Sequence, residues 1–338
     1  MEKKDRVLTG ITCTGEPHIG NYVGAIRPGI EASNDNSKES FFFMADLHAL
    51  IKCQSPKTVY NSSLAIAATW LALGINTDNS VFYRQSDVPE ISELCWILNC
   101  VAAKGLLNRA HAYKAAVDAN LESNNDPDAA ITMGIYSYPV LMSADIIMFN
   151  ANKVPVGKDQ IQHVEMARDI AGRFNHIYEE LFVLPEVSID SSTPILNGLD
   201  GRKMSKSYNN TIPIFLGEKK LRKTINKIKT NLLEPGEPKD PDSSTVFQIW
   251  QAFATPDQTA EMRQKFENGI AWGEAKAELF ELINGILKEP RMRYQEIVEN
   301  PEGIELALKS GAEKARDLSA PLLEKVKKAV GISPFKKV

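Results

Sequence analysis

The chain has 338 residues, of which 43% are hydrophobic and 24% charged, with a formal net charge of −4. That length supports two domains of ordinary size, and no uninterrupted apolar run approaches the roughly 20 residues that cross a bilayer. A slightly acidic total excludes a molecule that is basic all over, so any polyanion contact must come from a local patch.

The opening residues Met1-Glu2-Lys3-Lys4-Asp5-Arg6 are charged and contain no apolar signal region, which reads as a cytoplasmic chain. Cys13, Cys53, Cys95 and Cys100 all lie in the first third, so disulfides are not expected, and Cys95 and Cys100 have no partners at ligand spacing for a metal.

Val7-Leu8-Thr9-Gly10-Ile11 predicts a first strand, and Thr12-Cys13-Thr14-Gly15-Glu16-Pro17 a small-residue turn. Ile19, Tyr22, Val23, Ile26 and Ile30 then recur at helical spacing, which puts His18, Gly20 and Asn21 in the first turn of a helix. Strand, tight loop and helix N-terminus bind phosphate well, because free backbone N–H groups and the positive dipole end face the ligand. A structural turn closed by a capping histidine fits the same residues.

Phe41-Phe42-Phe43-Met44-Ala45 predicts a buried parallel strand with Asp46-Leu47-His48 at its C-terminal end, where open α/β sheets bind ligands. His48 is either a ligand contact or a hydrogen-bonded core histidine. Residues 58–73 read as helix, 80–84 as a strand ending in Gln85-Ser86-Asp87, and 91–101 as helix again. This alternation predicts a doubly wound α/β domain. Between 102 and 130 the pattern weakens and predicts a mobile insertion, whose Arg109 and Lys114 are either phosphate contacts or solvated charges.

The apolar stretch from Tyr138 to Phe149 contains Asp145, a carboxylate that needs a partner, either a buried protein donor or a ligand. Val154-Pro155-Val156 reads as a strand, and Gly157-Lys158-Asp159-Gln160 as a turn into a helix carrying Gln160, His163 and Ala167 on one face. His18, His48, His111 and His163 thus all fall in junctions or loops.

Residues 195–202 form a loop leading to Lys203-Met204-Ser205-Lys206-Ser207, whose concentrated donors suit moving phosphates or make an exposed basic loop. Helical patterns dominate beyond it. Residues 218–229 carry Lys219, Lys220, Arg222, Lys223, Lys227 and Lys229 against one acid, with Leu221, Ile225 and Ile228 as the buried stripe. That face is either solvated or a polyanion contact. Residues 232–244 read as a linker or surface loop.

Pro17-His18-Ile19-Gly20-Asn21 resembles the HIGH element of the class I aminoacyl-tRNA synthetases, and Lys203 to Ser207 resembles their KMSKS loop. The likeness, most closely to the bacterial tryptophanyl branch, extends through Gly20-Asn21-Tyr22-Val23-Gly24-Ala25, Asp46-Leu47-His48-Ala49, Met142-Ser143-Ala144-Asp145-Ile146 and 154–160, over most of the first 210 residues. It implies a Rossmann-like catalytic domain over 1–206, with an insertion around 102–130. An all-helical anticodon-binding domain over 207–338 would follow, its last helix able to pack back on the first.

The resemblance also implies a two-step reaction. The tryptophan carboxylate attacks the α-phosphate of ATP-Mg2+, and the aminoacyl group then passes to the 3′ end of tRNA(Trp), with no protein nucleophile. A homodimer without membrane attachment is implied too. By family position, His18, Asn21, Lys203 and Lys206 are catalytic. Thr12, Cys13, Thr14, Gly20, Gly157, Lys158, Asp159, Ile195, Met204, Ser205 and Ser207 join those four in the ATP site. Asp145 would receive the indole N–H, Tyr138 and Gln160 would hold the substrate ammonium, and Met142 and His48 would pack near the ring. Indole is only a donor, which matches an acceptor-only carboxylate. A phenol O–H can meet the same acceptor, so a tyrosyl enzyme stays open, as does a synthetase-like nucleotide- or RNA-binding paralogue without charging activity. The chain departs from the family at Thr12-Cys13, where relatives carry Gln or similar and then Pro. It has no C-terminal cysteines for an iron-sulfur cluster.

Overall fold

A computed structural model describes residues 4–157, 160–188 and 195–335. The chain enters through β1 (Asp5–Thr12) and turns into α1 (Ile19–Asn21), which continues through a π-helical turn (Tyr22–Ile26) into α2 (Arg27–Ser33). β2 (Lys38–Ala45) leads to the short α3 (Asp46–Ala49) and then to α4 (Pro56–Ala72), while β3 (Ser80–Arg84) leads to α5 (Pro89–Asn99). Next come α6 (Lys104–Leu107), α7 (His111–Glu122), α8 (Met133–Met148), β4 (Lys153–Pro155), α9 (Ile161–Ile177) and β5 (Glu186–Ser188).

The strands pair in parallel in the order β3-β2-β1-β4-β5. The chain therefore winds outward from β1 in both directions, which makes the carboxyl ends of β1 and β4 the topological switch point. β2 shows why the sheet is buried on both faces. Phe42 stacks toward Trp70 of α4, while Phe41 and Phe43 pack with Phe149 and Tyr83 on the opposite side. Period-two alternation thus feeds two separate cores, so the strand reads as a continuous apolar run. Gly10 on β1 is required by close packing, since a Cβ there would lie 2.4 Å from the Phe43 ring.

Residues 102–130, expected as a mobile insertion, contain α6 and α7. Helix α7 buries none of its residues, so its alanine-rich sequence carries the helix mainly by propensity, and Tyr113 docks edge-on against Tyr136 of α8.

The remainder is helical: α10 (Glu218–Asn226), α11 (Thr245–Phe253), α12 (Pro256–Glu267), α13 (Trp272–Glu299) and α14 (Glu302–Ala329). Helix α13 packs against α4, α10 and α11, and α14 returns along β3. The small residues Gly311, Ala312, Ala315 and Ser319 allow that return, and a Cβ at Gly311 would clash with the Phe82 carbonyl. No helix among the described residues is long and apolar enough to cross a membrane.

Candidate active site

The turn after β1 delivers His18 to the N-terminus of α1, where it caps the helix. Its Nδ1 accepts from the Asn21 N–H at 3.3 Å, and its own N–H donates to Asn21 Oδ1 at 3.1 Å. Both readings of the sequence therefore meet in one residue: His18 is a cap, and it stands at a helix start after a strand. A neutral ring that accepts at Nδ1 carries its hydrogen on Nε2. Burial and then the charge of Lys206 lower the His18 pKa to about 4, which keeps the ring neutral at pH 7.

The two signature stretches meet in space. The Ile19 N–H donates to the Ile212 carbonyl at 2.9 Å, and the Ile214 N–H donates to the Pro17 carbonyl at 3.2 Å. Lys206 donates to the carbonyls of Thr14 and Gly15, the latter at 3.0 Å. Gly15 has φ +74, and a Cβ there would stand 3.5 Å from the Lys206 chain. Glycine thus supplies the left-handed turn, and the lysine chain packs at ordinary contact distance beside it. Met204 is buried, with its sulfur facing Gly20, whereas Lys203 and Ser207 are exposed and Ser205 is half-buried.

Asn210, which the sequence reading did not single out, holds this loop. It is 2% exposed, accepts from the Ser205 N–H at 2.8 Å, and donates to Asp200 at 2.7 Å and to the Lys203 carbonyl at 3.2 Å. Gln248 of α11 anchors the preceding residues, donating to the Ile195 carbonyl at 3.1 Å and accepting from the Asn197 N–H at 3.0 Å. The Ile195 side chain is 62% exposed. Thr12 is exposed and Thr14 half-buried, while Cys13 is buried in the core with its thiol pushed up to about 11 by burial. The structure therefore gives the Cys13 side chain a packing role. Gly157 is exposed after β4, and Lys158 and Asp159 lie outside the described residues.

A second cluster lies at the ends of β2 and β3. Asp145 on α8 is 0% exposed, yet both of its oxygens are engaged, Oδ2 by His48 Nε2 at 2.9 Å and Oδ1 by Gln85 Nε2 at 2.7 Å. Burial raises its pKa, and His48 and Gln85 oppose that rise. Asp145 thus has the buried protein donors that its apolar setting demanded. One donor per oxygen leaves lone pairs for a further donor. Burial, and then the Asp145 charge, suppress ionisation of the neighbouring Tyr83.

Tyr138, Met142 and Asp145 occupy positions i, i+4 and i+7 of α8 and so share one helix face. The Tyr138 hydroxyl lies 2.6 Å from His163 Nε2, and His163 Nδ1 lies 2.8 Å from Gln160 Oε1. If the glutamine oxygen accepts, His163 carries its hydrogen on Nδ1 and accepts from Tyr138. His18, His48, Gln85 and Gly157 all follow the C-terminal ends of strands, on one edge of the sheet. Arg109 and Lys114 are exposed on the α6–α7 segment.

Helix α10 buries Leu221 and Ile225 and exposes Lys219, Lys220, Arg222 and Lys223. Arg222 is held over Phe280 and pairs with Glu281 at 2.8 Å, and Lys219, Lys220 and Lys223 form no ion pair among the described residues.

The chain matches the model of a family described as tRNA synthetases class I (W and Y) over residues 1–288. It is 60% identical over 337 residues to a tryptophan–tRNA ligase of Neisseria meningitidis, covering 99% of this chain and 100% of that one. It is 58% identical over 334 residues to a tryptophan–tRNA ligase of Pseudomonas syringae, covering 98% and 74%. A solved tryptophanyl-tRNA synthetase from Campylobacter jejuni, complexed with ADP and tryptophan, is 42% identical with a TM-score of 0.86, covering 96% of this chain and 99% of that chain. A tyrosyl-tRNA synthetase from Archaeoglobus fulgidus, at 17% identity and a TM-score of 0.64, covering 86% and 90%, shares the fold alone.

Proposed function

We infer that this chain, which belongs to the class I tRNA synthetases (W and Y), is a tryptophan–tRNA ligase. It activates L-tryptophan with ATP to tryptophanyl-adenylate and pyrophosphate, then passes tryptophan to the 3′ end of tRNA(Trp). The observation that carries this reading is the reach of Lys206 to the Thr14 and Gly15 carbonyls, which brings a cation of the second signature stretch to the turn that leads from β1 into α1.

ATP enters as its magnesium complex. The N-terminal turn of α1, with Gly20 and Asn21, meets its phosphates, and the neutral His18 donates from Nε2. The backbone of Thr12, Cys13 and Thr14 lines the entry, while Gly157 and Ile195 border the nucleoside, a role that family position also assigns to Lys158 and Asp159. The tryptophan carboxylate attacks the α-phosphorus, the bond to the departing pyrophosphate breaks, and Lys203 and Lys206 stabilise the negative charge that grows there. Met204, Ser205 and Ser207 carry those lysines. No side chain forms a bond to the substrate, so the rate rests on positioning and charge.

Asp145 accepts the indole N–H, with Met142 and His48 against the ring. Tyr138 and Gln160 hold the ammonium end. Support for this assignment is the complete burial of Asp145 on the helix face that also carries Tyr138 and Met142. A substrate without a ring donor would leave that carboxylate short of a partner.

The division at about residue 206, a helical anticodon-binding part beyond it, a homodimer and a cytoplasmic location belong to the same reading. Aminoacylation of purified tRNA(Trp) with labelled tryptophan tests the whole. Charging at the 3′ end is expected, and adenylate formation without charging would replace this reading with that of a nucleotide-binding paralogue.

A further inference from the structure

We propose that Gln85 is a specificity-determining positioning residue. It holds the Asp145 carboxylate in the one orientation that accepts a ring N–H, and so favours an indole over an isosteric ring without that donor. This rests on Asp145 being the indole acceptor.

Gln85 follows β3 directly and is 0% exposed. Its Nε2 donates to Asp145 Oδ1 at 2.7 Å, while its Oε1 is buried with no hydrogen-bond partner among the described residues. That asymmetry is informative. An amide that merely filled space would be replaced by an apolar side chain at no loss, because a buried carbonyl oxygen without a partner is destabilising. Turning the amide over would set its oxygen against a carboxylate oxygen. The orientation is therefore fixed by the Asp145 charge, and the hydrogen bond to that charge offsets the unpaired oxygen.

The second donor to Asp145 is held in the same frame. His48 sits on α3, whose first residue, Asp46, accepts from the Ser86 N–H at 3.1 Å and from the Ser86 hydroxyl at 2.5 Å. Gln85-Ser86 and Asp46-Leu47-His48 thus form one braced unit at the ends of β3 and β2. It grips Asp145 by both oxygens, so the carboxylate plane cannot rotate freely, and its remaining lone pairs point in fixed directions. Preorganised acceptors of this kind discriminate between substrates better than mobile ones do.

The test is pyrophosphate exchange with tryptophan and with its benzothiophene analogue, in which sulfur replaces the indole N–H. Wild type, Asp145→Asn, Gln85→Met and the isosteric Gln85→Glu are compared, each first checked for folding by thermal melting. For both Gln85 variants we expect the KM for tryptophan to rise roughly 10- to 100-fold, in line with loss of a hydrogen bond to a charged group. The preference for tryptophan over the analogue should fall roughly tenfold, with the KM for ATP within about twofold of wild type. Equal losses for the two amino acids, or for ATP as well, would show that Gln85 only packs. A preference lost in Asp145→Asn but kept in the Gln85 variants would overturn the Gln85 role and leave the Asp145 reading standing. A wild-type enzyme that does not distinguish the two substrates would overturn both.

Discussion

Lys206 donates to the main-chain carbonyls of Thr14 and Gly15, which stand 192 and 191 positions before it in the chain. These carbonyls are neutral acceptors, whereas phosphate oxygens are charged and bind an ammonium more strongly. The same lysine can therefore exchange the turn carbonyls for a developing pyrophosphate. Partial desolvation already lowers its pKa.

Lys206→Ala is expected to lower the rate of adenylate formation by about 100- to 1000-fold while changing tryptophan affinity little, because the charge matters most in the transition state. Single-turnover adenylate formation together with equilibrium tryptophan binding measures both. An unchanged rate would remove Lys206 from the chemistry.

His18 makes stability depend on pH with a defined sign. Its folded pKa, about 4, lies below its ordinary value of 6.5. Between those values the unfolded chain takes up a proton that the folded one refuses, so the neutral ring favours folding above pH 6.5, and that advantage is lost as the pH falls toward 4. The loss amounts to about 3 kcal/mol. Chemical denaturation at pH 7 and pH 4.5 should show a smaller drop for His18→Gln than for the wild type. Identical drops would mean that the ring is not protected from protonation.

Asn210→Ala removes four hydrogen bonds from the loop that carries Lys203 and Lys206. The Ser205 N–H and the Lys203 carbonyl lose their buried partner, which destabilises the loop by about 1 to 3 kcal/mol. Because this segment lies at the edge of the fold, adenylate formation should slow at least tenfold, with a smaller change in melting temperature. A large fall in melting temperature with normal activity would contradict that division.

Lys219 and Lys223 of α10, which form no ion pair among the described residues, are expected to meet RNA phosphates. Lys219→Glu combined with Lys223→Glu should raise the KM for tRNA and reduce the slope of log KM against log salt by about 2, with pyrophosphate exchange unchanged. An unaltered salt slope would make this face a solvated one.

How far the site is legible in the sequence depends on where each partner lies. The strand at Ser80–Arg84 and the turn around Gly15 come from local signals, β-branched residues and turn formers, so they could be read directly. The burial of Asp145 was legible from its apolar flanks. Its partners were not, since Gln85 and His48 lie 60 and 97 positions away and only the parallel order of β2 and β3 brings them together. The polar residues after Arg84 were a usable signal for Gln85, of the same kind as those after Ala45. Asn210 gave no such signal, because its partners are mostly backbone groups of a loop. The helices within 102–130 were not legible because the polarity there resembles that of a loop, while helix propensity acts independently of polarity.

The most direct measurement is pyrophosphate exchange by the purified chain with ATP and either L-tryptophan or L-tyrosine. Exchange supported by tryptophan at a kcat/KM at least 100-fold above that for tyrosine is the expected result, with the preference reduced in Asp145→Asn. Exchange with tyrosine and none with tryptophan would contradict the assignment of this site.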